Sequence, residues 1–126
     1  MKTSVKRILV VEDDDFILRA YTAGLEHAGY EVMTVTNGED GLKQMRAWHP
    51  DLVLLDLIMP IKDGFETLEE KHKDPALKKI PTLILSNLGQ DDDIARGLAL
   101  GAKEYFIKAN YSLPDVVKKI QDTLDT

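Results

Sequence analysis

The sequence predicts an α/β protein in which five parallel strands alternate with five helices, a (βα)5 arrangement. Three observations support this prediction: five short runs rich in Ile, Val and Leu, an amphipathic segment after each run, and short connections throughout the 126 residues. Strict alternation of strand and helix implies right-handed crossovers, with helices on both faces of one sheet. A hydrophobic content of 44% is enough for one buried core, so we expect residues 1–126 to form a single domain.

Four of the runs have the composition of strands that are buried on both faces. They are residues 8–11, 52–55, 83–85 and 105–107. Short, continuously apolar runs of this kind are typical of central parallel strands. Residues 32–35, Val-Met-Thr-Val, are more polar, which favours a position at the edge of the sheet.

The segments between these runs show helical spacing of apolar residues. The predicted helices cover residues 14–28, 38–48, a shorter segment from Gly64, 91–100 and 112–124. The first is followed by a glycine stop, and the second is preceded by an asparagine cap. The last begins with a pattern typical of a capping box, Ser112 and Asp115.

The fourth predicted helix carries an apolar stripe that we expect to face the sheet. The stripe consists of Ile94, Ala95, Leu98 and Ala99, and Gly101 is expected to end the helix.

Composition and charge exclude several functional classes. The net charge of −6, with scattered lysines, argues against direct nucleic-acid binding and against an anionic membrane surface. The chain has no cysteine, which excludes disulfides and thiol chemistry and suits a cytoplasmic protein. No run has the length of a membrane span or signal peptide, and no linker suggests an output domain.

Polar residues suited to phosphoryl chemistry follow four of the apolar runs directly. Glu12 and Asp13 follow the first run, Asp56 the third, Ser86 the fourth and Lys108 the fifth. In open parallel sheets the ligand site lies at the carboxyl ends of the strands, so we expect these side chains to meet at one edge. A cluster of carboxylates, a hydroxyl and an ammonium suits a cation together with a phosphoryl group.

The acidic residues of this edge predict a divalent metal site. Asp13 and Asp56 offer oxygen ligands for Mg²⁺, or alternatively Mn²⁺, and the backbone carbonyl of Ile58 could complete the protein ligands. Glu12 either orients metal-bound water or ligates the ion directly.

Asp56 has two alternative roles, as a metal ligand alone or as a nucleophile that forms an aspartyl phosphate. The companion residues favour the nucleophile. Lys108 and a divalent ion would neutralise the phosphoryl oxygens, and the Ser86 hydroxyl would donate a hydrogen bond to them.

In these site residues and the motifs around them, the chain resembles the receiver domain of two-component response regulators. The resemblance rests on Val-Val-Glu-Asp-Asp at 10–14, Asp-Leu-Ile-Met-Pro at 56–60, Asp63-Gly64, Ser86, and Tyr-Phe-Ile-Lys at 105–108, and it covers essentially the whole chain. It implies a flavodoxin-like sheet with strand order 2-1-3-4-5. It also implies a stand-alone signalling protein that takes a phosphoryl group onto Asp56 and is not a turnover enzyme.

The resemblance further implies partners and a switch. The phosphoryl donor would be a histidine kinase or phosphotransfer protein. Ser86 would move toward the new phosphoryl group and leave space into which Tyr105 turns, which changes the surface formed by helix 4, strand 5 and helix 5. That surface would bind an unknown downstream protein or form a phosphorylation-dependent dimer.

Three departures from the family pattern concern the loops around the site. Ala109 stands where many receivers have proline, so a cis bond there would cost about 2.5–4 kcal/mol. The acidic pair is Glu-Asp, a variant that the family tolerates. Ile58 and Leu88 are apolar at positions that influence water access, and we expect them to lengthen the lifetime of the phosphorylated state.

Two other functions are weighed against the signalling module. A small phosphohydrolase with an aspartyl nucleophile would normally carry a second Asp at the position of Ile58. A phosphorylation-independent interaction domain would not need the acidic pair, Asp56 and Lys108 together. His27, His49 and His72 lie on separate predicted helices or at their ends and are not expected to bind metal.

Overall fold

The computed structural model of the protein describes residues 5–125, which form one five-stranded parallel sheet flanked by helices. The strands are β1 (Arg7–Val11), β2 (Glu31–Val35), β3 (Leu52–Leu55), β4 (Thr82–Ser86) and β5 (Glu104–Ile107). Their order is β2-β1-β3-β4-β5 and all neighbours are parallel, which confirms the predicted topology. The more polar β2 lies at one edge, as expected. The prediction that residues 105–107 form a central strand buried on both faces is wrong, because β5 lies at the other edge and only Phe106 of this strand is buried.

The five predicted helices are present with closely similar bounds. They are α1 (Asp15–His27), α2 (Gly38–Trp48), α3 (Gly64–Lys73), α4 (Asp91–Ala99) and α5 (Leu113–Leu124). Two short elements were not predicted. A one-turn helix, Pro75–Lys78, follows α3 directly, and a 3-10 turn, Lys108–Asn110, follows β5.

Side-chain caps fix the starts of several helices near the sheet edge. Asp14 accepts a hydrogen bond from the Ile17 amide at the start of α1, and Asn37 caps α2. Both α3 and α5 begin with a complete capping box, and the predicted Ser112–Asp115 pair forms the second of these. These caps hold the loops that surround the carboxyl ends of the strands.

The central strands are buried on both faces because their side chains alternate between two core clusters. Leu9, Val11, Val53, Leu55 and Ile84 point into the cluster shared with α2 and α3. Their neighbours Ile8, Val10, Leu52, Leu54, Leu83 and Leu85 point into the cluster shared with α1 and α5. The continuous apolar runs in the sequence follow directly from this double burial.

The predicted inward stripe of α4 is wrong. Ala95, Leu98 and Ala99 are exposed, Leu98 by 44%, and Ile94 is only half-buried. The buried residue of this helix is Gly97, which has no apolar side chain and therefore leaves no hydrophobic signal in the sequence.

No helix in the described range, residues 5–125, is both long and apolar enough to cross a bilayer.

Candidate functional site

Backbone pairing at the carboxyl edge of the sheet brings the ends of β1 and β3 side by side. The Asp56 amide donates to the Val11 carbonyl at 3.0 Å, so the residue after β3 is held against the end of β1. The Glu12 amide donates to the Val35 carbonyl at 3.0 Å, which ties the other side of β1 to β2. The chain order reverses at β1 and β3, where ligand sites occur in open parallel sheets.

Three carboxylates meet at this point, as the sequence predicted. Each of Glu12, Asp13 and Asp56 offers an oxygen, and these atoms all lie within 4.8 Å of one another. Glu12 and Asp56 are buried, whereas Asp13 is exposed. A compact set of carboxylate oxygens that opens to solvent on one side fits a hard divalent cation that retains some of its water.

Lys108 reaches the same cluster from the end of β5. Its Nζ donates to Glu12 Oε1 at 2.5 Å and to Asp56 Oδ2 at 3.3 Å, and its side chain is only 14% exposed. The second oxygen of Asp56, Oδ1, accepts a hydrogen bond from the Leu57 amide at 2.8 Å. Glu12 is oriented in turn by the Asp14 amide, which donates to Oε2 at 3.0 Å.

Burial and charge act in opposite directions on the ionisation of this cluster. Burial alone would lower the pKa of Lys108, but its hydrogen bond to Glu12 and the charges of Asp56 and Glu12 outweigh burial and raise it. Burial raises the pKa of Glu12, and the hydrogen bond from Lys108 opposes that rise. The ammonium therefore stays charged and neutralises carboxylates that would otherwise repel one another.

Ser86 lies at the end of β4 and is fully buried. Its hydroxyl oxygen accepts a hydrogen bond from the Leu88 amide at 3.3 Å. Within residues 5–125 no hydrogen bond joins it to Asp56, so the structure brings Ser86 to the edge without linking it to the carboxylates.

Tyr105 lies on β5, two strands away from Asp56. Its hydroxyl donates a short hydrogen bond to the Leu88 carbonyl, in the same loop that Ser86 contacts. Burial, followed by the charges of Asp93 and Asp56, raises the pKa of Tyr105 to about 12. Ser86 and Tyr105 thus contact one residue, Leu88, through its amide and its carbonyl respectively.

The loop between Asp56 and α3 contains a strained turn. The Lys62 amide donates to the Pro60 carbonyl at 2.7 Å, which closes a γ-turn around Ile61 at φ 68°. A β-branched residue in this left-handed region is an outlier, because its side chain crowds the backbone. The residues Ile58 and Ile61 are 59% and 76% exposed, so the loop that follows Asp56 presents two apolar groups to solvent.

The loop after Lys108 has no cis peptide. The bond between Lys108 and Ala109 is trans, as is every peptide bond in the part of the chain that the structure describes. The chain turns instead through the 3-10 segment, and the Ala109 amide donates to Asn87 Oδ1 at 3.1 Å. The residue that replaces the frequent proline thus ties this loop to the one after β4.

Sequence reasoning missed Tyr21 as a neighbour of the site. Tyr21 lies on α1 and lines a small gap together with Glu12 and Asp56. Burial raises the pKa of its phenol, and the charges of Lys108, Glu12 and Asp56 also act on it. Helical spacing alone cannot distinguish a core tyrosine from one that reaches a charged cluster.

Comparison with known proteins agrees with the geometry of this edge. Residues 8–121 match the family model of the response regulator receiver domain. The probable transcriptional regulator ycf27 of Cyanophora paradoxa is 40% identical over 108 residues, which are 86% of this chain and 44% of that protein. Protein PilH of Pseudomonas aeruginosa is 36% identical over 102 residues, 81% of this chain and 84% of that protein. The chain spans about half the length of the first curated relatives that it matches.

Solved structures show the same fold. The phosphorylated cyanobacterial phytochrome response regulator RcpA superposes with a TM-score of 0.85 at 33% identity, covering 98% of this chain and 96% of that one. The Mn²⁺-bound form of response regulator Rcp1 superposes with a TM-score of 0.79 at 30% identity, covering 93% and 90%. The chain therefore belongs to the receiver domain family of the response regulators of two-component systems.

Proposed function

We propose that this protein is a phosphoacceptor of a two-component system or phosphorelay, and that Asp56 receives the phosphoryl group. The observation that carries this proposal is the position of the Lys108 ammonium, which bridges Glu12 and Asp56, two of the three carboxylates that meet at this edge. Glu12, Asp56 and Lys108 are far apart in sequence. A purely structural role for Asp56 would not require its buried carboxylate to belong to a set of oxygens that suits a metal ion.

The proposed reaction is a displacement at phosphorus by Asp56. A carboxylate oxygen of Asp56 forms a bond to phosphorus while the bond between phosphorus and the donor imidazole nitrogen breaks, and that nitrogen keeps the electron pair. The Lys108 ammonium lies 3.3 Å from Asp56 Oδ2, where it would neutralise charge on the transferred group. The Ser86 hydroxyl, which now contacts the Leu88 amide, would turn to donate to the same group.

Glu12, Asp13 and Asp56, with the backbone carbonyl of Ile58, are the proposed holders of Mg²⁺ or Mn²⁺. The compact donor set supports this assignment, as does the Mn²⁺-bound form of its structural relative Rcp1. Such an ion, when bound, supplies positive charge to the phosphoryl oxygens. Glu12 has one oxygen on Lys108 and the other on the Asp14 amide, which favours a role in orienting water around the ion.

The proposed donor is a phosphohistidine on a histidine kinase or a phosphotransfer protein. Family membership supports this partner class, and the phosphorylated structure of RcpA supports covalent modification of such a domain. The protein would assist its own phosphorylation and dephosphorylation without being a turnover enzyme. A phosphohydrolase is disfavoured because Ile58, the position of the usual general acid in such enzymes, has no group that donates a proton.

Phosphorylation is proposed to act through Ser86 and Tyr105 on the surface formed by α4, β5 and α5. Both residues contact Leu88, so a movement of Ser86 toward Asp56 would disturb the loop that Tyr105 also binds. The changed surface would bind a downstream protein or a second copy of the chain. Residues 1–126 are proposed to act as one receiver domain in this role.

The test is labelling with acetyl phosphate and Mg²⁺, followed by intact mass and hydroxylamine sensitivity. We expect the wild type to gain one hydroxylamine-sensitive phosphoryl group and Asp56→Asn to gain none. Asp63→Asn is the matched control, because it makes the same chemical change in the same loop and asparagine still caps α3. Equal labelling of Asp56→Asn and the wild type would refute the assignment, whereas Mg²⁺ binding without labelling would favour an interaction domain.

A further inference from the structure

Helix α4 rests on the sheet through a glycine. Gly97 is the buried residue of α4, and the residues around it, Arg96 and Leu98, are exposed. Glycine in the interior of a helix destabilises that helix relative to alanine, so its presence here calls for a packing explanation.

The packing around Gly97 leaves no room for a side chain. A Cβ atom at this position would lie 2.6 Å from Ile84 Cδ1, and 3.0 and 3.3 Å from Tyr105 Cδ2 and Cε2. The ring of Tyr105 therefore lies directly against the backbone of α4. Ile84 is fully buried in β4, so it cannot give way without repacking of the core.

The other end of the same ring is held by the loop after β4. The Tyr105 hydroxyl donates to the Leu88 carbonyl, and the Leu88 amide donates to the buried Ser86 hydroxyl. A continuous set of contacts thus runs from Ser86 through Leu88 and Tyr105 to the backbone of Gly97.

Apart from half-buried Ile94, the side-chain attachments of α4 lie at its exposed surface. The exposed Arg96 guanidinium lies 4.2 Å from the centre of the Phe65 ring and donates to Glu69 Oε1 at 3.1 Å. At the start of the helix Gln90 makes no capping hydrogen bond with its side chain. The contact at Gly97 is therefore the place where the sheet can set the position of α4.

We propose that Gly97 is a positioning residue for the switch. Because Gly97 has no side chain, the Tyr105 ring packs directly against the backbone of α4, and we call this contact the tyrosine seat. When the ring moves, α4 turns about the tyrosine seat. A swing of Tyr105 away from Leu88 would remove the support beneath Gly97 and release α4. The signalling consequence rests on the proposed function, whereas the seat itself is a property of the unphosphorylated protein.

The test separates the two clashes that a new Cβ would make. Gly97→Ala alone meets both Ile84 and Tyr105, and it can fail for packing reasons. Ile84→Val removes Cδ1, the nearer of the two obstacles, so Gly97→Ala in the Ile84→Val background tests the tyrosine seat by itself. Gly24→Ala is the matched control, because Gly24 is also inside a helix and its Cβ would lie 3.0 Å from Leu113 Cδ2, away from Tyr105.

The first readout uses unphosphorylated, metal-free protein with labelled tyrosine rings, and Tyr105→Phe assigns the resonance. In the Ile84→Val protein we expect the Tyr105 phenol to titrate near its raised pKa of about 12. In Ile84→Val/Gly97→Ala we expect a shifted ring resonance and a pKa that falls toward the ordinary value of 10.0, because the displaced ring is exposed to water. Gly24→Ala should change neither. If the ring resonance and the phenol pKa of Tyr105 are identical in the double variant and in Ile84→Val, the proposed contact between Gly97 and Tyr105 is wrong.

The second readout follows the amide resonances of α4 after phosphorylation with acetyl phosphate and Mg²⁺. The double variant should be labelled at Asp56 to the same extent as Ile84→Val, but its α4 resonances should shift less. If the α4 resonances of the double variant shift as far as those of Ile84→Val, the proposed coupling between Tyr105 and α4 is wrong. Failure of the wild type to become phosphorylated would instead refute the proposed function. The first readout would still test the contact between Gly97 and Tyr105, because it uses unphosphorylated protein.

Discussion

Lys71 on α3 offers a quantitative test of the energetics of this fold. Its side chain is 4% exposed, and no hydrogen bond or ion pair reaches its amine from the residues between 5 and 125. Burial lowers the pKa of this lysine from 10.5 to about 8. The folded protein therefore carries an amine whose charged form it disfavours.

The expected free-energy change follows from that pKa. A difference between 10.5 and about 8 corresponds to about 3 kcal/mol, because each pKa unit is worth about 1.36 kcal/mol. Below pH 8 the amine is protonated in both states, so the full penalty opposes folding. Between about 8 and 10.5 the unfolded chain binds more protons, so stability rises with pH and the penalty disappears above 10.5. Lys71→Met should thus be more stable than the wild type at pH 7 by up to about 3 kcal/mol.

The measurement is urea unfolding of the wild type and Lys71→Met, at pH 7 and again near the ordinary lysine pKa of 10.5. The stability difference should be largest at the lower pH and nearly absent at the higher one. Lys73→Met is the matched control, because Lys73 is exposed on the same helix and should change stability little. A Lys71→Met protein no more stable than the wild type at pH 7, or a difference independent of pH, would refute the reasoning.

Three further substitutions test local features near the site. Ile61→Gly should stabilise the protein by about 1 kcal/mol in urea unfolding, because glycine has no Cβ and reaches the positive φ of this turn without the steric cost, about 1–2 kcal/mol, that other residues meet; a loss of stability would contradict the strained turn. Asp63→Ala should lower the free energy of unfolding by about 1 kcal/mol through loss of the α3 cap, while Asp63→Asn stays close to the wild type; equal losses would argue against the capping box. Gly38→Ala should lower the free energy of unfolding by about 2 kcal/mol, because the Cβ of the new alanine would lie 1.8 Å from Thr67 Oγ1 and 2.6 Å from the Lys62 carbonyl oxygen. A Gly38→Ala protein that unfolds at the same temperature as the wild type would show that this clash does not occur.

The strands and the convergence of the site could be predicted because their causes are local and regular. Double burial requires continuous apolar runs, and parallel strands bring their carboxyl ends to one edge. Glu12, Asp56 and Lys108 could therefore be grouped from their positions after three runs. The short helix Pro75–Lys78 could also have been found, since Asp74 caps it and Pro75 occupies its first position.

Other features depend on packing that a linear pattern does not encode. The burial of α4 falls on Gly97, and a residue without a side chain gives no hydrophobic periodicity. The approach of Tyr21 to Glu12 and Asp56 depends on where α1 lies on the sheet. The positive φ angles of His49 and Ile61 could not be predicted from residue type, because histidine adopts positive φ only occasionally and a β-branched residue very rarely.

The most direct test of the central claim is to locate the phosphoryl group. Borohydride reduces an aspartyl phosphate to homoserine, so protein treated with acetyl phosphate and Mg²⁺ can be reduced, digested and mapped by tandem mass spectrometry. The account predicts homoserine at position 56, dependent on Mg²⁺ and absent from Asp56→Asn. Homoserine at Asp13 or another aspartate, or none at any position in labelled protein, would contradict the account.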